Sequence, residues 1–281
     1  GELRRKNPSF KPSFNYELLL ATNYVGHCVA LRKDALLALE GLTDLPYVQN
    51  EDFLLRLAER MTLPAIGHVP FIANHRGSEL NQALATQAVE INGTLVRQAH
   101  LQRLNLTTAE VHQGLKPRTW QIKYPINHTP SVALLIPITE WHDAAALAIQ
   151  SLLDTTTYAN YKIYLGLTDT LKTLFNLEEL HKNKVEVVPI SSTPNRTSLY
   201  KELAQAANKA DFYCLMESDV HAVQSNWLDQ LVMHGQRPQV GMVGPRLVLP
   251  NGRVFSAGQI LGLDGYTGDW IIGDMHRYIG F

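Results

Sequence analysis

The segment Glu217-Ser218-Asp219-Val220-His221 follows an apolar run, 212–216, and places a carboxylate and an imidazole two residues apart. In an extended loop such residues point to the same side, so Asp219 and His221 suit joint coordination of a divalent cation that neutralises a diphosphate. The alternative is a polar loop in which Asp219 or Ser218 caps the following helix. The spacing alone leaves both open.

The elements around this segment alternate between strand and helix from Ser131 onward. This alternation predicts an α/β fold, a mainly parallel sheet flanked by helices. The predicted strands are 132–138, 161–167, 185–190, 212–216 and 240–248, and the predicted helices are 144–153, 171–180, 197–210 and 227–234. Ligands of such sheets bind at the carboxyl ends of the strands. The loops after Ile138, Leu167, Ile190 and Met216 are therefore the expected binding edge.

The first part of the chain carries a different pattern. We predict a strand over 24–31, a helix over 35–40 with Asp34 as N-cap and Gly41 as its end, a helix over 51–60, and a strand over 66–72. A polar helical stretch, 81–104, and the breakers Gly114, Pro117 and Pro125 then indicate an interdomain helix and linker. The predicted domains are 1–80, 81–130 as the connection, and 131–281.

Composition restricts the partners. A net charge of −1 and a pI near 6.9 give no global field toward nucleic acid or an anionic membrane. Cys28 and Cys214 are isolated, so we expect neither a disulfide framework nor a cysteine metal cluster.

The sequence contains no apolar run near the ~20 residues of a membrane span. We therefore expect a cytoplasmic protein and leave open a peripheral association with the inner face of the membrane. The two ends of the sequence suggest a fragment of a longer chain.

Several motifs occur in a fixed order along the second part. They are Val132-Ala133-Leu134-Leu135-Ile136-Pro137, Ser151-Leu152-Leu153-Asp154-Thr155-Thr156-Thr157-Tyr158, Asn226-Trp227-Leu228, Val240-Gly241-Met242-Val243-Gly244-Pro245 and Asn251-Gly252-Arg253-Val254-Phe255. With these motifs, residues 131–263 resemble the nucleotide-binding half of a family 2 glycosyltransferase of GT-A fold. Residues 13–76 resemble the acceptor half of another such domain, through Gly26-His27, Glu51-Asp52 and His75. The segment 114–125 resembles the link between tandem domains of bacterial polysaccharide and O-antigen assembly proteins.

For the donor site, the resemblance implies that a sugar nucleotide binds with Mn²⁺ or Mg²⁺. Asp219 and His221 are the implied metal ligands, with His221 standing where the family has a second aspartate. His75 is also an implied metal ligand, but we expect it to belong to a different active site from Asp219, because in the family the histidine follows the acidic loop of its own domain. The implied substrate- and nucleotide-binding residues are Pro137, Thr139, Glu140, Asp169, Glu217 and Asp219. Leu167 occupies the position of the family's base-binding acid, and Asp169 is its possible substitute or the N-cap of the next helix.

For the acceptor site, the resemblance implies a general base, and Asp52 and Glu51 are the candidates. Counting back from Arg56 places the family's base on Asn50, and first-turn acids facing the helix dipole are the alternative for Glu51 and Asp52. The implied activity is inverting hexosyl transfer from a nucleotide sugar to a glycan or lipid-linked glycan. The competing hypotheses are a catalytically inactive scaffold or glycan-binding module, and another α/β nucleotide-binding enzyme. The sequence has no glycine-rich phosphate loop after the first predicted strand, which argues against the last of these.

Overall fold

The computed structural model describes residues 11–26, 28–60, 66–69, 71, 82–140, 142–172, 183–192, 195–261 and 267–269. Within these ranges the chain forms two compact units. Unit 1 runs to Pro125 and takes in Leu249–Val254, and unit 2 comprises Ile126–Val248 and the described residues between Phe255 and Asp269. The assignment of these regions to halves of two GT-A domains stays a prediction.

The described residues of unit 1 form four helices and a hairpin. The helices are α1 (Tyr16–Ala21), α2 (Lys33–Ala38), α3 (Gln49–Arg60) and α4 (Gln82–Arg103), and the hairpin pairs β1 (Glu110–Gln113) with β2 (Trp120–Lys123) in antiparallel register. Asn15 caps α1 by accepting a hydrogen bond from the backbone N–H of Leu18 at 2.9 Å. Helix α3 buries its apolar face, with Phe53 and Leu57 packed against Leu39.

Three predicted elements of unit 1 differ from the structure. The strand over 24–31 does not form in its described residues, where Gly26 takes a φ of +80° and bends the chain. Residues 66–69 are not in a strand either, and 70 and 72 lie outside the described residues. Helix α2 begins at Lys33 with Arg32 as N-cap. Asp34 is therefore in the first turn, where it forms an ion pair with Arg32.

Unit 2 contains a four-stranded parallel sheet with helices on both faces. In chain order its elements are β3 (Val132–Ile138), α5 (Asp143–Thr155), β4 (Tyr161–Leu167), α6 (Asp169–Lys172), β5 (Val185–Pro189), α7 (Arg196–Ala206), β6 (Phe212–Leu215) and α8 (Trp227–Gly235). The strand order is β5-β4-β3-β6, with β3 and β4 in register from Val132↔Tyr161 to Ile138↔Leu167. The predicted α/β, Rossmann-like sheet is confirmed.

The two faces of the sheet bury separate cores. All seven residues of β3 are buried, as expected for a central strand covered on both sides. Alternate residues such as Leu134 and Ile136 pack with α5 and α8, whereas Ala133 and Leu135 pack with Leu203 of α7. Replacing a fully buried leucine such as Leu134 with alanine would cost about 2–5 kcal/mol.

After α8 the described chain forms two small two-stranded sheets. β7 (Leu247–Val248) pairs with β8 (Val254–Ser256), and β9 (Gln259–Leu261) pairs with β10 (Thr267–Asp269). The strand predicted over 240–248 is wrong except for its last two residues. Its first part contains Gly241, Gly244 and Pro245, which are weak strand formers, and leaves Met242 91% exposed. Within the described ranges, no helix combines the length and apolar character needed to cross a bilayer.

Candidate functional site

The order of the strands reverses around β3. The connection from β3 leads to β4 on one side, whereas the connection from β5 crosses over to β6 on the other side. In open parallel sheets this switch point is where ligands bind, outside the carboxyl ends of the strands. Thr139 and Glu140 directly follow β3, and Glu217 and Asp219 lie in the loop after β6. The sheet therefore brings these four sequence-predicted residues to one edge.

Pro137 lies at this edge, within β3 and buried. Leu135 of β3 accepts the N–H of Met216, and β6 pairs with β3 only as far as Leu215. In a parallel sheet, every second residue of a strand forms its hydrogen bonds with the same neighbouring strand. Pro137 is two residues after Leu135 and so faces β6, but β6 no longer pairs with β3 at that point. The N–H that proline lacks is therefore not needed for the sheet. A proline is thus tolerated in a central strand at the point where the two strands stop pairing.

The loop after β6 is fixed by three hydrogen bonds, two from α5 or its flank and one from α7. Ser218 Oγ lies 2.9 Å from Nε2 of His142, the N-cap residue of α5. Tyr200 of α7 donates its hydroxyl to the carbonyl of Met216 at 3.0 Å. Ser151 of α5 accepts the N–H of Ala222 at 3.1 Å. The segment that carries Asp219 is therefore held at its start, middle and end, which limits its freedom before any ligand binds.

Arg196, at the start of α7, forms an ion pair with Glu217. Both side chains are about half exposed, so the pair is accessible from solvent and contributes little to stability. Sequence analysis did not predict Arg196 or His142 for this site, because neither lies at a strand end in the sequence. Arginine binds phosphate oxygens through a planar fork of N–H donors, which makes Arg196 a residue suited to a diphosphate.

Asp219 and His221 are both exposed in the same loop. Among the residues that the structure describes, no group of three or more His, Cys, Asp or Glu side chains is placed to hold a metal ion. Mg²⁺ in nucleotide sites commonly takes one or two carboxylates and fills its remaining positions with phosphate oxygens and water. Asp219 is a carboxylate of this kind, and the role of His221 as a second ligand stays a prediction. His75, the third predicted ligand, lies outside the described residues.

The end of β4 carries Leu167, at the position where the resemblance implies a base-binding acid, and Asp169, the candidate substitute for that acid. Leu167 is fully buried in the core, so its side chain is not available for hydrogen bonding. Asp169 begins α6 and is almost fully exposed, with its Oδ1 2.8 Å from Nζ of Lys172. This ion pair lowers the pKa of Asp169. A carboxylate does stand near the strand end, but it is engaged with a neighbouring lysine.

In unit 1 the two predicted catalytic acids point into the protein. Glu51 is 1% exposed, and its Oε1 accepts a hydrogen bond from Arg97 at 2.5 Å. Arg97 is fully buried and also donates to the carbonyls of Leu19, Leu20 and Gly93. Burial raises the pKa of Glu51, and the charge of Arg97 offsets part of that effect.

Asp52 is also buried and pairs with Arg56 one turn later at 2.7 Å. The same guanidinium donates to the carbonyls of Leu39 and Gly41 and so closes the end of α2. The role of general base stays a prediction for Glu51 and Asp52. Asn50, the third residue considered there, lines a pocket of about 340 Å³ together with Asn23, Pro46, Tyr47 and Gln49.

No family model matches the chain. Over 277 residues, 94% of the chain, it is 28% identical to the O-antigen biosynthesis protein RfbC of Myxococcus xanthus. Over the same length it is 28% identical to the uncharacterized protein y4gI of Sinorhizobium fredii (strain NBRC 101917 / NGR234). The chain spans 21% of the length of the first relative and 30% of the second. Both alignments are long enough to include both units.

Proposed function

We propose that the chain is part of an inverting, metal-dependent transferase. It moves a hexose from a nucleotide-sugar donor to a glycan or lipid-linked glycan during the synthesis of a cell-surface polysaccharide. The observation that carries this proposal is the convergence of Thr139, Glu140, Glu217 and Asp219 at the switch point of a parallel sheet. The similarity to an O-antigen biosynthesis protein over 94% of the chain supports the polysaccharide pathway.

In this proposal, unit 2 binds the donor. Asp219 and His221 are the protein ligands of Mn²⁺ or Mg²⁺, and a bound cation would neutralise the diphosphate leaving group. Arg196 exchanges its ion pair with Glu217 for the phosphate oxygens of the donor. Thr139 and Glu140 follow β3 and face the sugar or the ribose hydroxyls. Asp169 is the remaining acid at the end of β4 and accepts from the nucleotide base.

The acceptor half in unit 1, which we assign to a different active site from the donor half, would need a general base that accepts a proton from its own acceptor hydroxyl. Asp52 or Glu51 could do so only after releasing its arginine, because a carboxylate held in an ion pair is a weaker base. Asp52 is the better candidate of the two, since its side chain is 9% exposed and that of Glu51 is 1% exposed.

The second candidate function is a glycan-binding module that lacks transferase activity. Three features favour it: the buried Leu167 at the end of β4, the ion pair of Asp169, and the ion pairs of Glu51 and Asp52. Such a module would show no metal-dependent binding of a nucleotide.

Calorimetric titration of UDP, GDP and dTDP, each with and without Mn²⁺, separates the two functions. We expect one nucleotide to bind in the presence of Mn²⁺ and Asp219→Asn to weaken that binding tenfold or more. Asp154→Asn is the control, because Asp154 is an exposed acid of α5 that bonds to Gln150 away from the strand ends. Absence of nucleotide binding in every titration would reject the donor site and favour the module.

A further inference from the structure

The charges at the carboxyl edge of the parallel sheet in unit 2 are unbalanced. Between the end of each strand and the first residue of the next helix, these segments contain one arginine, Arg196, and no lysine. The same segments carry five carboxylates, those of Glu140, Asp143, Asp169, Glu217 and Asp219. Lys172, further along α6, offsets Asp169. A free diphosphate has several negative charges, so this edge repels it unless positive charge is supplied.

The arginine of this edge is engaged by two groups of the chain. Arg196 forms an ion pair with Glu217, which lies two residues before Asp219. It also forms a hydrogen bond with the side chain of Tyr200, one turn along α7. Burial raises the pKa of Tyr200, and the charge and hydrogen bond of Arg196 offset part of that rise. The carboxylate of Glu217 therefore occupies the place that an anion would take on Arg196.

Helix α7 holds both partners of this ion pair. Arg196 is the first residue of the helix, and the buried Leu203 packs the helix on the sheet. Tyr200 donates its hydroxyl to the carbonyl of Met216 at 3.0 Å, and Glu217 is the next residue after Met216. The backbone positions of both partners are thus set by the same helix.

The ion pair is accessible and weak. The side chains of Arg196 and Glu217 are 60% and 46% exposed, and pairs of such exposure contribute little to stability. A phosphate group can therefore displace the carboxylate from the guanidinium, which offers it a planar fork of donors. The displaced Glu217 then lies near the phosphate with its negative charge uncompensated. Because like charges repel each other, a free anion binds weakly.

A divalent cation that arrives with the diphosphate neutralises part of its charge, so Glu217 repels the complex less. We propose that Glu217 restricts the donor site to diphosphates that carry a divalent cation and excludes free phosphate and pyrophosphate. This inference rests on the donor site proposed for unit 2 and adds how that site selects its ligand. Asp219 is proposed to hold the cation, and Glu217 makes the cation necessary.

Calorimetric titration with pyrophosphate, in the presence of EDTA and at low ionic strength, tests this inference. We expect Glu217→Gln to bind pyrophosphate about tenfold more tightly than the wild type, because the amide neither holds Arg196 in an ion pair nor repels the anion. In about 0.5 M salt the gain should shrink to about threefold or less, since exposed charges are then screened.

Two further variants assign the gain to Arg196. The double variant Arg196→Ala/Glu217→Gln should bind pyrophosphate about tenfold more weakly than Glu217→Gln, because the fork of donors is missing. Glu186→Gln is the matched control, since Glu186 in β5 pairs with Lys162 in β4 and their side chains are 43% and 42% exposed. It should leave the pyrophosphate affinity unchanged. The melting temperature of Glu217→Gln should stay near that of the wild type.

UDP, GDP and dTDP with Mn²⁺ test the donor function in the same samples. For the nucleotide that binds, Glu217→Gln should lower the ratio of the affinity with Mn²⁺ to the affinity without it, through a gain without Mn²⁺. If none of them binds to the wild type while Glu217→Gln gains pyrophosphate affinity, the donor function fails and the exclusion of free anions stands. If one binds and the pyrophosphate affinity of Glu217→Gln is unchanged, the role of Glu217 alone fails.

Three results with pyrophosphate overturn the inference: an unchanged affinity in Glu217→Gln, a gain that persists at high salt, or a gain that is retained without Arg196. Equal loss of metal-dependent nucleotide binding in Glu217→Gln and Asp219→Asn also overturns it. Glu217 would then be a ligand of the cation and not the residue that excludes free anions.

Discussion

Nε2 of His142 lies 2.9 Å from Oγ of Ser218, and this contact joins the flank of α5 to the loop after β6. The two residues are separated by 76 positions in the chain. The contact sets the position of Asp219, the next residue along. It therefore links the two loops that meet at the switch point of the sheet.

We predict that His142→Ala weakens metal-dependent nucleotide binding by about three- to tenfold, since a loop with more freedom loses more entropy on binding. Thermal stability should change little, because neither side chain is fully buried. Calorimetry and a melting curve measure the two effects. Ser198→Ala on α7 is the control, and an equal loss in that variant would contradict the role of His142.

We predict that breaking the buried ion pair between Glu51 and Arg97 lowers the stability strongly. Glu51→Ala leaves the guanidinium of Arg97 buried without its carboxylate, and this change should cost about 3–5 kcal/mol. The control is Glu186→Ala, which breaks a pair with Lys162 whose side chains are both more than 40% exposed and should cost about 1 kcal/mol or less. Denaturant unfolding gives both values, and similar costs would contradict the structure.

We predict that His100 makes the stability of unit 1 depend on pH. It is fully buried, with Nε2 2.6 Å from the hydroxyl of Tyr16 and Nδ1 2.6 Å from Glu59, while Arg103 and Arg97 add positive charge. Burial lowers the pKa of His100 despite Glu59. The unfolded chain then binds more protons, so stability should fall as the pH drops below about 6.5.

Melting curves between pH 7 and pH 5 test this prediction. We expect His100→Gln to flatten the dependence, whereas His112→Gln, which alters an exposed histidine of the hairpin, should retain it. Near pH 4, protonation of Glu59 should lower the stability further. Burial raises the pKa of Glu59, but the hydrogen bonds from Arg103 and His100 outweigh burial and lower it. Equal slopes in the wild type and His100→Gln would reject the role of His100.

We predict that a larger residue in place of Gly93 on α4 would clash with Trp120. A Cβ at this position would lie 2.2 Å from the ring of Trp120. That ring is fixed, since it lies 3.6 Å from the guanidinium of Arg97 and donates to Oγ1 of Thr94 at 3.0 Å. Gly93→Ala should therefore cost about 1–3 kcal/mol, although alanine is the better helix former.

Gly235→Ala is the matched helical control for this experiment. The nearest atom to its new Cβ would lie at 3.5 Å, which is ordinary contact, so its stability should stay the same or rise. Denaturant unfolding of both variants gives the comparison. If Gly93→Ala leaves the free energy of unfolding unchanged, Trp120 can move away from α4, which would contradict the prediction.

The sheet of unit 2 was predictable because its strands are rich in apolar residues. β3 has the predicted bounds as an uninterrupted apolar run, and β4 also has them although it contains Lys162. The hairpin was missed because Gly114, Pro117 and Pro125 suggested a linker. The alternation Trp120-Gln121-Ile122-Lys123, buried at its first and third residues, was the signal that could have found it.

The position of the candidate site could be predicted only from the ends of the strands. Thr139, Glu140, Glu217 and Asp219 lie at one edge of the sheet because parallel strands end at the same edge, and their roles stay predictions. The contacts of Glu51 and Asp52 could not be read from the sequence, because Arg97 lies 46 positions beyond Glu51. A spacing pattern identifies acids at a helix start, but their burial depends on which helix packs against them.

Trp120 has a further consequence for experiments on this protein. Among the described tryptophans, Trp120 belongs to unit 1, where it lies against a guanidinium, and Trp227 belongs to unit 2, where its Nε1 donates to Oγ1 of Thr156 at 2.9 Å. Fluorescence of indole is sensitive to both kinds of neighbour. Variants that retain only Trp120 or only Trp227 of the four tryptophans would thus give each unit its own optical signal, and the unfolding of the two units could be timed separately.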